Sequence, residues 1–165
     1  PAKRSLSSSA SQAKHHPGSG PLSSNVRQHQ RRKFTPMASL NPFAELVGMT
    51  FEAVSPGASE IRLQLDPRHL NPNAVVHGAV LYAMADTGMG AALYRTLSSG
   101  ELCATIEIKM TYFKAIASGE LLCRTTVVNR GKRVAYLESS IFAEEVHIAK
   151  ATGTYAIFRP TGSAA

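Results

Sequence analysis

The sequence predicts an α+β domain in which one long central helix is wrapped by a curved, mainly antiparallel sheet of about five to six strands. Residues 78–94, GAVLYAMADTGMGAALY, are apolar or small almost throughout and too long for a single strand. Two short β-rich runs precede them and four longer ones follow. Turn residues separate the later runs, so consecutive segments reverse direction and should pair antiparallel.

Taken in order, NPFAELVG (41–48) reads as a short helix stopped by Gly48, with a strand near 49–55 behind it. A turn at SPGAS leads to EIRLQLD (60–66), where Ile61, Leu63 and Leu65 alternate with polar residues as in a half-buried strand. PRHLNPNAVV is loop, marked by Pro67 and Pro72, and the long helix runs from about His77 to Leu97, ending at SSG. Strands follow at 102–114, 119–130, 133–143 and 146–158, with turns at ASGE and NRGK joining consecutive ones. In the first of these, Ile106, Ile108, Met110 and Tyr112 alternate with Thr105, Glu107, Lys109 and Thr111. A helix apolar on every side must be covered over most of its surface, and the concave face of the sheet is the available cover. Its many Gly and Ala residues let the backbone sit close to the strands or to a partner subunit.

A length of 165 residues suits one domain, and 44% hydrophobic content suffices for a core. No apolar run reaches the ~20 residues that cross a bilayer, because Gly88, Gly90 and Asp86 interrupt the longest. Cys103 and Cys123 are too few for a disulfide framework or a zinc site and read as reduced thiols in strands. The net charge of +7 is confined to the leader: seven Lys/Arg precede the first acid, Glu45, and the remaining eleven balance eleven Asp/Glu. The folded part is therefore neutral, which removes most of the case for nucleic acid as its partner, and the lack of a spanning run argues against membrane.

Residues 1–36 are basic and Ser-rich with few large apolar groups, a composition expected to be disordered. Three readings stand: a transit peptide, which would make the location mitochondrial; a tail for nucleic acid or an acidic surface at RQHQRRK, a run that is more often simply solvated; or an over-extended start ahead of MASLNPFAELVG at Met37. The plain options are favoured, with a cytoplasmic domain at 37–160 and a short tail at 161–165. The sequence contains no GxSxG elbow, phosphate loop or metal-ligand cluster, which leaves serine hydrolase, nucleotide hydrolase and metalloenzyme readings without support.

The anomaly is Asp86, the one normally charged group from Gly78 to Tyr94. A carboxylate on a buried helix costs several kcal/mol unless paired. Its setting resembles the hotdog-fold acyl-CoA thioesterases of the phenylacetate-pathway, PaaI-like type, through LNPNAVVHGAVLYAMADTGMGAAL, ATIEIKMTYFKAIASGELLCRTTVVNRGKRVAYLESSIF and AKATGTYAIF. The likeness spans about residues 41–160, and its specific part is the spacing of Asn71, His77, Gly78 and Asp86. It implies hydrolysis of an acyl-CoA thioester, without metal or organic cofactor, by a homodimer or a tetramer made of two dimers.

Each residue has a physical reason. A backbone N–H at a helix start is an unpaired donor carrying partial positive charge, suited to polarising a thioester carbonyl, and the resemblance gives this role to Gly78. It gives Asn71 a side-chain amide donor near the same carbonyl, Asp86 the role of general base or nucleophile, and Thr105 that of orienting water with Asp86. The competing reading of Asp86 is a structural pairing with a strand hydroxyl. His77 either assists the acyl group or braces the loop, and bracing is preferred. Arg130, Lys132 and Arg133 in NRGKR would face the CoA phosphates, or be a solvated turn; Tyr82, Met89 and Phe113 would line the acyl pocket, or be core. Two departures stand out: Ala79 replaces the second Gly common after the His, and AEEVH lacks the usual turn Gly. In the related 4-hydroxybenzoyl-CoA branch a Glu acts and a Thr follows four residues on; here Asp86 is followed by Gly90. A non-catalytic acyl-CoA sensor or scaffold is the alternative function.

One consequence follows from helix geometry alone. Gly78 and Asp86, eight residues apart, are separated by about 12 Å along the axis, whereas donor and base must each lie within about 3 Å of the reacting atoms. If both act, one site takes Asn71, His77 and Gly78 from one subunit and Asp86 and Thr105 from its neighbour.

Overall fold

The computed structural model describes residues 41–160; the expectations for the leader, for residues 37–40 and for the tail at 161–165 fall outside them. The elements run α1 (Pro42–Val47), β1 (Met49–Ser55), β2 (Ala58–Gln64), α2 (Gly78–Tyr94), β3 (Leu102–Tyr112), β4 (Glu120–Arg130), β5 (Val134–Ala143) and β6 (Val146–Phe158). Asn41 caps α1 by accepting the Ala44 N–H, and Gly48 ends it in the left-handed conformation that glycine adopts without strain. β2 begins and ends two residues earlier than its alternation suggested, and α2 stops at Tyr94, three residues short of Leu97.

All six strands form one antiparallel sheet in the order β1-β2-β4-β5-β6-β3. The NRGK turn closes the β4–β5 hairpin as expected. The ASGE turn does not close one: β3 pairs with β6 along its whole length. Residues 113–119 instead cross the end of the sheet, held by Val76 N–H on Ile116 O and Leu65 N–H on Gly119 O. Three strand spacings, about 14 Å, separate β3 from β4, and seven extended residues reach about 23 Å. The crossing is therefore easy, and β3 is left as a free edge among the described strands.

α2 lies against one face of this sheet and buries Leu81, Met84, Ala85, Gly88, Met89, Ala91, Ala92 and Leu93. The first half of the helix packs with Ile61, Leu63, Leu121 and Ile141. The second half packs with Leu137, Tyr155 and Ile157. Between them the floor is polar: Ser59 Oγ donates to Gly88 O at 2.8 Å, and the Thr125 and Ser139 hydroxyls bond each other at 2.6 Å. A Cβ on Gly88 would come within 2.7 Å of Thr125 Oγ1, so the missing side chain is what lets the helix rest on these hydroxyls.

β3 departs from simple alternation. Its register against β6 shifts between Thr105 and Glu107, so Ile106 is the extra residue of a bulge. Strict alternation would group Thr105 with Glu107 and Lys109. The bulge changes the phase, leaving Ile106 58% exposed and aiming Thr105 at the helix.

Candidate active site

Asp86 lies half-buried on the flank of α2 that looks toward β3 and β6. Thr105 Oγ1 donates to its Oδ1 at 2.8 Å, and the Tyr155 hydroxyl donates to the same oxygen at 2.6 Å. The second carboxylate oxygen has no partner among the described residues. Thr105 and Tyr155 are direct cross-strand neighbours, so the β3–β6 register sets both donors side by side. The trio opens into a cavity of about 610 Å³, also lined by Gly90, Tyr94 and Cys103. Burial, and then the hydrogen bond to Asp86, push the Tyr155 phenol well above its ordinary range, which keeps it a donor.

At the other end of α2, His77 is the N-cap: its Nδ1 accepts the Ala79 N–H at 3.0 Å and its own N–H donates to His69 O at 2.8 Å. This is the bracing geometry, and it leaves Nε2 to carry the ring hydrogen. His69 is braced in turn, accepting from Asp66 N–H at Nδ1 and donating from Nε2 to Val47 O. Asn71 folds its loop by accepting from Asn73 and Val75 N–H at Oδ1, which turns its amide nitrogen free of bonds to the described residues. Ala74 completes that loop at φ +56°, a left-handed conformation costly for a residue with a Cβ.

The Gly78 N–H, first of the helix, has no acceptor among the described residues. A second cleft of about 380 Å³ opens beside it, lined by Val75, Tyr112, Phe113 and Lys114. The Tyr112 ring covers Gly78 so closely that a Cβ there would meet it at 3.1 Å, and its hydroxyl donates to Gly78 O at 3.2 Å. Gly78, preceded by its cap His77, thus borders one cavity and Asp86 with Thr105 another, while Asn71 stands in the loop ahead of the helix and does not line the Gly78 cleft.

The other sequence-derived residues are not gathered. Met89 is fully buried under α2, Tyr82 is partly exposed on the helix, and Phe113, at the rim of the Gly78 cleft, stacks edge-on against His147. They form no common pocket. Arg130 is paired with Glu101 at 2.7 Å, while Lys132 and Arg133 stand exposed at the β4–β5 turn. The Ser98 N–H, reinforced by Arg130, holds the Glu101 carboxyl below its ordinary range. A depression of about 410 Å³ on the outer face of the sheet holds Arg62 and Arg124, but both are engaged, with Glu52, Glu120 and Glu60. Tyr155 was missed from sequence. Its signal is its phase in β6, shared with Ala151, Gly153 and Ile157, since a tyrosine on the inward face needs a partner for its hydroxyl.

Residues 73–150 match the thioesterase superfamily. A relative from Archaeoglobus fulgidus, named provisionally as an esterase, is 31% identical over 112 residues, covering 67% of this chain and 71% of the relative. A conserved protein of Pseudomonas aeruginosa superposes with a TM-score of 0.68 at 30% identity, over 71% of this chain and 94% of its own. A single-site variant of the phenylacetic acid degradation protein PaaI from Thermus thermophilus gives 0.65 at 27%, over 70% and 97%. Fold and family together define a hotdog-fold hydrolase of thioesters. This chain belongs to the thioesterase superfamily.

Proposed function

We propose that the protein hydrolyses acyl-CoA thioesters to a free carboxylic acid and CoA, using Asp86 of one subunit and the start of α2 of another. The supporting observation is the Asp86 carboxylate itself: one oxygen saturated by Thr105 and Tyr155, the other free in an open cavity. As general base, the free oxygen takes a proton from water, and the hydroxide adds to the thioester carbon. The Gly78 N–H of the partner subunit, with the Asn71 amide, stabilises the oxyanion. Collapse breaks the C–S bond, and the proton held by Asp86 passes to the departing CoA sulfur. As nucleophile, the same oxygen would attack the thioester carbon and expel CoA thiolate, and water would then hydrolyse the mixed anhydride to the free acid, regenerating the Asp86 carboxylate and supplying the proton the thiolate takes up. Lys132 and Arg133 are the cations left free for the CoA phosphates, and no resident cofactor or metal is called for. If Gly78 and Asp86 act on one thioester, their separation of about 12 Å along α2 calls for a homodimer, and a tetramer of two dimers is compatible with it.

Thiol release measured across aromatic, short and long acyl-CoAs tests this directly. Wild type should turn over at least one class, and Asp86→Ala should lose about 10²-fold or more. Binding of CoA esters with every thioester left intact would instead make the protein a sensor.

A further inference from the structure

We infer that Tyr155 is a positioning residue for the carboxylate: with Thr105 it occupies Oδ1 of Asp86 and so commits Oδ2 to the reaction. This rests on the thioesterase reading of the site. A carboxylate free to rotate about its Cβ–Cγ bond offers two equivalent oxygens and no fixed direction. Here both donors converge on one oxygen, at 2.8 and 2.6 Å, and the hydroxyl of Tyr155 also lies 3.1 Å from the Asp86 backbone oxygen. The single phenol hydrogen points chiefly to the nearer Oδ1, and the Asp86 backbone oxygen forms the longer arm of a bifurcated bond.

The arrangement is rigid because Tyr155 is only 2% exposed, packed among Ala85, Met89 and Leu137. Thr105 by contrast sits on the free edge strand next to a bulge and faces the open cavity. Of the two donors, the buried tyrosine is therefore the one whose position the core fixes, and it is the reference against which Asp86 is held. Besides Tyr155, the titratable groups facing the carboxylate are Cys103 from β3 and Tyr94 from α2 itself; α1 contributes Asn41 and Phe43 and no charge.

Tyr155→Phe removes the donor and keeps the ring. Expected is a protein that melts cooperatively, with KM for the best acyl-CoA within about twofold of wild type and kcat reduced about tenfold. The acidic limb of the kcat/KM profile should move about one unit to higher pH, since one charge-assisted hydrogen bond to the carboxylate is lost. Site-specific 3-fluorotyrosine at 155, a stronger donor of nearly the same volume, should move the limb the other way, and it serves if the Phe variant does not fold. The carboxyl carbon of Asp86, followed by NMR titration in wild type and variant, reads the same shift without turnover. An inactive wild type with a shifted Asp86 titration would defeat the thioesterase reading and keep the hydrogen-bond role. An active wild type whose Tyr155 variants match it in kcat, limb and titration overturns the inference.

Discussion

Gly78 is the first residue of α2, the one helical position where proline is well tolerated, because its N–H has no intrahelical acceptor and its φ suits the ring. His77 before it is extended at φ −68°, ψ 132°, as a residue preceding proline should be. Gly78→Pro therefore deletes the proposed oxyanion donor and preserves the helix. Gly78→Ala is the control: it introduces the same Cβ crowding against the Tyr112 ring at 3.1 Å but keeps the N–H. The difference between the two should be about 10²- to 10³-fold in kcat, the usual effect of losing one such donor. Mixing then asks where each site's parts come from. If Gly78 and Asp86 of different subunits form each site, a hybrid of Gly78→Pro with Asp86→Asn holds one doubly impaired site and one intact site. Random reassembly of equal amounts makes half the dimers hybrid, and half of their sites intact, so activity should return to about a quarter of wild type from near zero. Thiol release after co-refolding, with hybrids quantified by differential tags, supplies the assay. Hybrids that form in that proportion yet stay at parental background would show that each site lies within one chain, and the two-subunit argument would fail.

Two neighbouring glycines should respond oppositely to alanine. Gly88→Ala drives a Cβ to 2.7 Å from Thr125 Oγ1, which is held by Ser139, and should cost about 1–3 kcal/mol in denaturant unfolding, while Gly90→Ala meets nothing within 4 Å and should gain up to about 1 kcal/mol from helix propensity. Ala74→Gly relieves the left-handed strain in the Asn71 loop and should raise the melting temperature by about 3 °C. Burial pushes the Cys123 thiol up to about 11, whereas Cys103 is raised less and borders the Asp86 cavity. Iodoacetamide at pH 8 should therefore label Cys103 in the native protein, with Cys123 reacting only after unfolding, as mass spectrometry of peptides will show.

The elements were legible because their signals are local. A long apolar segment can only be a covered helix, a glycine ends α1, and the spacing of Asn71, Gly78 and Asp86 sits within one loop and one helix. What escaped was set by strand order and by register. The ASGE segment looks like any tight turn, and nothing within it says that β6 has already claimed the edge where β3 must go. The bulge at Ile106 is invisible for a related reason: Ile106, Ile108, Met110 and Tyr112 alternate without a break, so the sequence offers no hint that the phase changes behind Thr105. Yet that change is what brings Thr105 to Asp86. Arg130 reads as a free cation until Glu101, on a loop 29 residues away, is folded against it.

The question raised by one carboxylate on an apolar helix now divides into two. Its local cost is modest, because Asp86 is half-buried and receives two hydroxyl donors, each worth about 1.5–3 kcal/mol to a charged acceptor. The greater oddity is the face on which it stands. Ala79, Tyr82, Asp86, Gly90 and Tyr94 fall at helical spacing along the flank of α2 that borders the free β3 edge, where an uncovered helix ordinarily turns polar, and Tyr82 and Tyr94 are 39% and 56% exposed. Phe43 of α1, 52% exposed, borders the same Asp86 cavity. Apolar residues in that position ask for a cover that the described part of one chain does not supply. A second subunit laid across this face would bury them and deliver its own helix start to the Asp86 cavity. The uncovered stripe and the divided site then have one explanation, and the subunit-mixing experiment tests both at once.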